Sequence, residues 1–184
     1  ALIENRLNGI FRKQAGNWNE KNKMHRAISV LIHDQLDSLL EGKDAFACFR
    51  GKRVAVPYWS RTAGCVLLAS VDVPLHYDPE KQYQLFLSYK GRPPRKSVIT
   101  TDTFFVCGQV MIQAKGRRGV KAEAEELIAL LTREFPGVRA ERVFLTGFSD
   151  GGFTSFWVAS RNPHLFAGIA PMVANWQWGD VENW

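Results

Sequence analysis

No stretch of eighteen consecutive apolar residues occurs in this sequence, so none of it reads as a membrane-spanning helix. The opening residues, ALIENRLNGIFRK, lack the apolar middle of a signal peptide, and the chain starts on Ala1 rather than Met, as a processed or trimmed product would. Cysteine is scarce. Cys48, Cys65 and Cys107 are odd in number, widely spaced, without a C-x-x-C pair or a histidine at ligand spacing. That argues against a disulfide framework and a zinc site, and leaves buried free thiols as the expectation. Internal repeats and low-complexity tracts are also missing, which excludes solenoids and disordered arrays.

What is present suits a globular domain. The chain has 184 residues, of which 46% are hydrophobic and 12% aromatic, enough for one sizeable core. A net charge of +6 raises nucleic acid as a partner, but the basic residues are not interleaved with aromatics in any recognisable binding module, so no nucleic-acid partner is expected.

The first 42 residues read as the most helical. Ile28, Leu31, Ile32, Leu36, Leu39 and Leu40 form one apolar stripe that stops at Gly42 and is expected to pack on the rest of the domain. Residues 1–50 are therefore read as a helical N-terminal segment and 51–184 as a separate α/β unit. His25 and His33 on this helix fit a solvated or hydrogen-bonded role better than a catalytic one. From Gly51 the period changes to that of strands. KRVAVPYW and CVLLASVDV are joined by SRTAG, short enough for an antiparallel hairpin. YQLFLSY (Tyr83 to Tyr89) is a third strand, and FFVCGQVMI (Phe104 to Ile112) a fourth, with Gly108 marking a bulge. AEAEELIALLTREF (Ala122 to Phe135) is an amphipathic helix with Leu127, Leu130 and Leu131 inward. Alternation of strand and helix over residues 83 to 173 predicts a mostly parallel, twisted sheet with helices on both faces.

Within that alternation, RVFLTGFSDGGF from Arg142 to Phe153 places Ser149 in a G-x-S-x-G pattern. Chance alone produces such a pattern in about one chain in fifteen of this length, so the flanking sequence has to decide. Val143, Phe144 and Leu145 suit a buried strand, while Phe153, Trp157 and Val158 follow at helical spacing. Strand, serine, helix is the order an exposed nucleophile needs, and Gly147 and Gly151 let the backbone turn sharply there. The helix should halt before Pro163, and FAGIAPMV (Phe166 to Val173) should form a further strand.

Three segments, VDVPLHYDPEKQY, ERVFLTGFSDGG and NPHLFAGIAPMVANW, resemble the α/β-hydrolase superfamily. They are most similar to esterases related to polyhydroxybutyrate depolymerases and feruloyl esterases, and to the prolyl-oligopeptidase-like branch. The resemblance covers about residues 50 to 184 and is most specific over 141 to 175. It implies a serine hydrolase acting on carboxylic esters by acyl transfer, without metal or organic cofactor, with a secreted or periplasmic location. The alternatives are a prolyl-oligopeptidase-like peptidase and an inactive homologue that binds a ligand or partner. Carried over by residue, Ser149 matches the nucleophile and the Asp150 N–H one oxyanion donor. Where the family usually reads His-Gly-Gly, this chain has Tyr89, Lys90, Gly91 and Arg92, so Gly91 N–H matches the second donor.

The triad order of this superfamily is Ser, then Asp or Glu, then His. After Ser149 the only histidine is His164, which lies beyond a helix roughly 16 Å long. A base must come within about 3 Å of the serine oxygen, so His164 is read as a helix C-terminal cap partner. His76 precedes the third strand and breaks the order. Asp180 and Glu182 come one strand early for the triad acid. The expectation is a hydrolase piece without its acid, its base and its last strands.

Two basic runs, KGRPPRK (Lys90 to Lys96) and KGRRG (Lys115 to Gly119), are read as loops after the third and fourth strands. In a parallel sheet both open on the edge that holds Ser149. Arg92, Arg95, Arg117 and Arg118 then either form a rim that favours an anionic ester or polymer, or are simply solvated. Trp176, Trp178 and Trp184 suit either a stacking platform or a cover for the sheet edge.

Overall fold

The structure, a computed structural model, describes residues 18–61, 64–89, 103–107 and 112–174. The described residues form six strands: β1 (Arg53–Ser60), β2 (Cys65–Asp72), β3 (Tyr83–Tyr89), β4 (Thr103–Cys107), β5 (Val138–Phe148) and β6 (Gly168–Met172). Three α-helices accompany them, α1 (Trp18–Leu40), α2 (Ile112–Glu134) and α3 (Asp150–Arg161), with a 3-10 turn at Pro163–Leu165. The strands form one mixed sheet in the order β1-β2-β4-β3-β5-β6. β1 and β2 make the expected antiparallel hairpin, and β2 is also antiparallel to β4. β4, β3, β5 and β6 run parallel. Their carboxyl ends therefore share one edge, where an open parallel sheet places its ligands.

On one face Leu85, Leu87, Val106, Val143 and Leu145 are fully buried together with Leu127 and Leu131 of α2 and Val158 of α3. The opposite face carries a row of stacked rings, Phe105 to Phe86 at 6.4 Å and Phe86 to Phe144 at 5.0 Å between centroids. At the amino ends of the parallel strands Tyr77, Tyr83, Phe104 and Phe135 pack in tilted and edge-on contacts. There the Tyr77 hydroxyl donates to the Pro136 carbonyl at 2.8 Å, and the Asp78 N–H donates to the Tyr83 hydroxyl at 2.8 Å. These bonds satisfy buried phenols and fix the loops at the edge remote from Ser149.

Several expectations change. β4 ends at Cys107, and Ile112 opens α2 instead of closing a strand; Gly108 lies outside the described residues. The Lys115 to Gly119 run is helical, within α2, and is not a loop. Its two glycines each cost about 1 kcal/mol, too little to stop a helix whose neighbours Gln113, Ala114, Lys115, Arg117 and Arg118 are good helix formers. α1 ends as expected, with Gly42 left-handed at φ 73 and the Lys43 N–H donating to the Ser38 carbonyl at 2.9 Å. Its stripe does not pack as a whole, however. Leu31 and Ser38 face the domain, while Ile32, Leu36, Leu39 and Leu40 are exposed. α1 lies against edge strand β1, which offers a narrower contact than the stripe is wide. Cys48 and Cys65 are free but only half-buried, not enclosed; the Cys107 side chain lies outside the described part.

Candidate functional site at the strand ends

β5 is held between β3 and β6, with Gly147 opposite Tyr89 and Pro171, and Phe148 opposite Met172. The chain then reverses at Ser149, whose φ of 52° and ψ of −118° lie in a region that side chains with a Cβ rarely adopt. Such a conformation costs on the order of 1–3 kcal/mol and persists only where its surroundings dictate it. Here the Ser149 N–H donates to the Met172 carbonyl at 2.9 Å, and the Ser149 carbonyl accepts from the Phe153 N–H at 3.1 Å, starting α3.

The glycines explain how strand and helix come so close. A Cβ on Gly147 would collide with the Gly151 backbone and stand 2.7 Å from the Tyr89 carbonyl oxygen. A Cβ on Gly152 would meet the Met172 carbonyl oxygen at 2.8 Å and Ala174 Cβ at 2.9 Å. Strand and helix are therefore packed too closely for a side chain at Gly147 or Gly152, while Ser149 itself is exposed. A serine at a helix N-cap ordinarily bonds an N–H of the first turn. Ser149 makes no such side-chain bond, so its hydroxyl is not engaged by the helix it begins. The Asp150 N–H opens α3, at the positive end of the helix dipole.

Three apolar residues around this turn were not singled out from sequence. Phe148, Met172 and Val173 are all exposed at this edge, and Val173 is, with Ser149, one of two non-glycine residues with positive φ among the described residues, at 54°. The available signal was positional: Phe148 and Met172 end adjacent parallel strands in direct register. Their exposure depends on where the strands stop, which periodicity does not show.

A second polar cluster lies between β1 and α2. The Tyr58 hydroxyl donates to Glu123 Oε1 at 2.7 Å, and the Arg61 N–H donates to Glu126 Oε1 at 2.7 Å. Glu123 is 4% exposed, and its Oε2 has no hydrogen-bond partner among the described residues. Burial pushes its carboxyl up to about 7, against the lowering effect of the Tyr58 bond. Tyr58 and Tyr89 are pushed upward in turn, first by burial and then by the nearby Glu123 charge. Sequence reading passed over Glu123, although it stands one turn before Leu127 on the inward stripe. A groove of about 620 Å³ opens beside this cluster, lined by Trp59, Arg61, Glu125, Ala129 and Arg133. It belongs to the β1 margin of the sheet, four strand steps and about 19 Å from β5.

Among the described residues, no histidine stands beside Ser149. His164 is exposed in the 3-10 turn beyond the far end of α3. It does not cap that helix; Asn162 does, its side-chain amide donating to the Val158 carbonyl at 2.8 Å. His76 lies between β2 and β3 at the opposite sheet edge, and His25 and His33 are on α1. Arg117 and Arg118 belong to the opening turns of α2, which follows the carboxyl end of β4. Gly91, Arg92, Arg95, Asp180, Glu182, Trp176, Trp178 and Trp184 lie outside the described residues. Among the described residues no cluster of three or more His, Cys, Asp or Glu could hold a metal ion.

Solved structures share this fold. A thermostable esterase superposes with a TM-score of 0.53 at 18% identity, over 73% of the chain and 44% of that structure. A CE1 ferulic acid esterase from Anaeromyces mucronatus gives 0.51 at 18% identity, over 62% of the chain and 55% of the enzyme. The chain has the α/β-hydrolase fold, in part. Peptidases share this α/β-hydrolase architecture too: oligopeptidase B from Leishmania major gives 0.53 at 15% identity, over 65% of the chain and 20% of that protein. In sequence, 61 residues are 36% identical to lysosomal Pro-X carboxypeptidase of Bos taurus, 33% of the chain and 12% of the relative. No protein-family model matches. The chain thus spans less than two thirds of each of these relatives, and likeness at such structural identities speaks for the fold alone.

Proposed function

We propose that the chain carries the nucleophile of a serine hydrolase, with Ser149 attacking a carboxylic ester in acyl transfer. The observation behind this reading is the backbone of Ser149. A strained, exposed serine between a strand end and a helix start, with its hydroxyl unused by the helix, is what a nucleophile elbow requires. A serine serving only as a turn residue would adopt an easier φ or cap the helix. The Asp150 N–H, at the start of α3, is assigned to the developing oxyanion, since such a fixed backbone donor costs no reorganisation as charge forms, and the Gly91 N–H is assigned as its partner from the sequence resemblance.

The elements of this reaction are unevenly represented. Ser149 needs a base to take its proton, and among the described residues no histidine stands next to it. The base and the acid that orients it are therefore assigned to residues outside the described part. Phe148 and Met172, exposed where β5 and β6 end, and Val173 after them put apolar surface at the same sheet edge as the serine. A peptidase reading has its own support in the sequence match to Pro-X carboxypeptidase and in the oligopeptidase-like fold. Amide and ester hydrolysis use the same nucleophile and differ in how well the amine leaves.

The test is turnover of matched ester and amide substrates by the intact protein and by Ser149→Ala. Ester turnover that vanishes in the variant supports the proposal. Faster turnover of the amide moves the protein to the peptidase reading, and ester turnover unchanged by Ser149→Ala removes the nucleophile assignment.

A further inference from the structure

Val173 stands in a backbone conformation that core packing does not account for. Among the described residues the other positive-φ positions are Gly42, Gly51, Gly64, Gly137 and Ser149 itself. A β-branched residue is a genuine outlier there, and the Val173 side chain is 72% exposed, so no burial holds it in place. Such strain persists only where the surrounding chain dictates it. The constraint is visible on either side. The Met172 carbonyl accepts from the Ser149 N–H at 2.9 Å, and Ala174 comes back over the start of α3, its Cβ 2.9 Å from where a Cβ on Gly152 would stand.

We propose that Val173 is a positioning residue for Ser149: its positive φ aims the Met172 carbonyl at the Ser149 N–H and so holds the serine in the conformation that leaves its hydroxyl clear of α3. The bond joins two peptide units, Phe148–Ser149 and Met172–Val173, which leave adjacent strands in direct register and are followed by residues at φ 52° and 54°. Because each peptide unit is planar, φ of the residue after it sets how that unit is turned relative to the chain beyond. With Ala174 seated over α3, φ of Val173 therefore decides where the Met172 carbonyl points. Valine has only a small allowed area at positive φ and glycine a broad one, so valine restricts the swing of that carbonyl where glycine would release it. The consequence for reaction rests on the reading of Ser149 as the nucleophile, whereas the geometric claim does not. An attacking oxygen displaced by about 1 Å loses up to roughly a hundredfold in rate, which gives the restraint its value.

The experiment compares the intact protein with Val173→Gly and Val173→Ile. It reads hydrogen exchange of the Ser149 N–H by NMR, kcat and KM on a carboxylic ester, and the melting temperature. Val173→Gly should speed exchange at Ser149 about tenfold and lower kcat about tenfold with KM unchanged. Its melting temperature should hold or rise, because the strain is relieved. Val173→Ile puts back a β-branched side chain and should recover the parent's exchange rate and kcat. Ser149 exchange that Val173→Gly leaves unchanged overturns the proposal, whether or not the protein turns over esters. Faster exchange with an unchanged kcat overturns it too, since the bond would then not place the reacting oxygen. So does a kcat loss that comes with a lowered melting temperature and faster exchange throughout the domain, which is the mark of a merely structural role. Ester turnover that is absent, or that Ser149→Ala leaves unchanged, removes the nucleophile instead, and the exchange comparison then decides the claim about Val173 by itself.

Discussion

The Ser149 N–H donates to the carbonyl of Met172 at 2.9 Å, tying the turn after β5 to the end of β6. That bond places the strained serine on the sheet and not merely at the start of a helix. It also couples the geometry of Ser149 to the next turn, where Val173 is strained in its own right. The candidate site is therefore built from two neighbouring strand ends, and its shape is sensitive to small backbone changes at either.

Gly147→Ala tests that closeness. The added Cβ collides with the Gly151 backbone and approaches the Tyr89 carbonyl, so strand and helix must separate. We expect a loss of about 2–4 kcal/mol in unfolding free energy, measured by urea denaturation. A loss below about 0.5 kcal/mol would mean that the turn relaxes freely and does not hold Ser149 in place.

Glu123 predicts a pH dependence of stability. Its carboxyl is raised from 4.5 to about 7 in the folded chain. Between those values the folded state binds a proton that the unfolded state has lost. This group's contribution is therefore fully present below about 4.5, declines as pH rises toward 7, and is gone above it. The difference is of order 3 kcal/mol across the window. Glu123→Gln keeps an oxygen for Tyr58 and removes the charge, so it should flatten this part of the profile in urea melts at pH 5 and pH 8. A variant with the same slope as the parent would remove Glu123 as its source.

Tyr58→Phe addresses the same cluster from the other side. It takes away the donor to Glu123 Oε1 in a buried setting, at a cost of about 1–3 kcal/mol. Because the Tyr58 bond lowers the Glu123 carboxyl, its loss should move the pH-dependent part of stability to higher pH. A midpoint that stays in place would show that burial alone sets it.

The basic rim remains a proposal with a separable outcome. Arg117 and Arg118 sit in the opening turns of α2 and not in a loop, but those turns still follow a strand end at the edge that carries Ser149. Replacing Arg92, Arg95, Arg117 and Arg118 with Gln should raise KM for anionic esters relative to neutral ones and leave kcat on a neutral ester unchanged. The effect should fade with salt, since exposed charges are screened over about 8 Å at physiological ionic strength. An unchanged charge preference at low salt would mean the four arginines are merely solvated.

Much of the sheet was legible in the sequence because strands announce themselves locally. β3 fell on Tyr83 to Tyr89, and the hairpin and the strand around Ser149 followed from alternation and from the turn residues between them. The start of α2 was not legible, since the glycines at 116 and 119 signal a loop while tertiary anchoring by Leu127 and Leu131 extends the helix. The stripe on α1 was visible as a stripe, but periodicity does not say how much of it a neighbour covers. For the site, G-x-S-x-G located the turn; the unused hydroxyl of Ser149 and the strain at Val173 are consequences of packing between β5, β6 and α3. Glu123 escaped notice because an acidic residue on a helix is ordinarily solvated, and only the fold reveals that this one points inward at Tyr58.

The most direct measurement is labelling of the intact protein with a fluorophosphonate, followed by mapping of the modified peptide by mass spectrometry. The probe phosphonylates a serine only where a base activates it and an oxyanion site accepts the new charge. The account predicts a single adduct on Ser149, abolished in Ser149→Ala with the melting temperature preserved, since an exposed hydroxyl contributes little packing. No adduct, or an adduct on another serine that persists in Ser149→Ala, would contradict it.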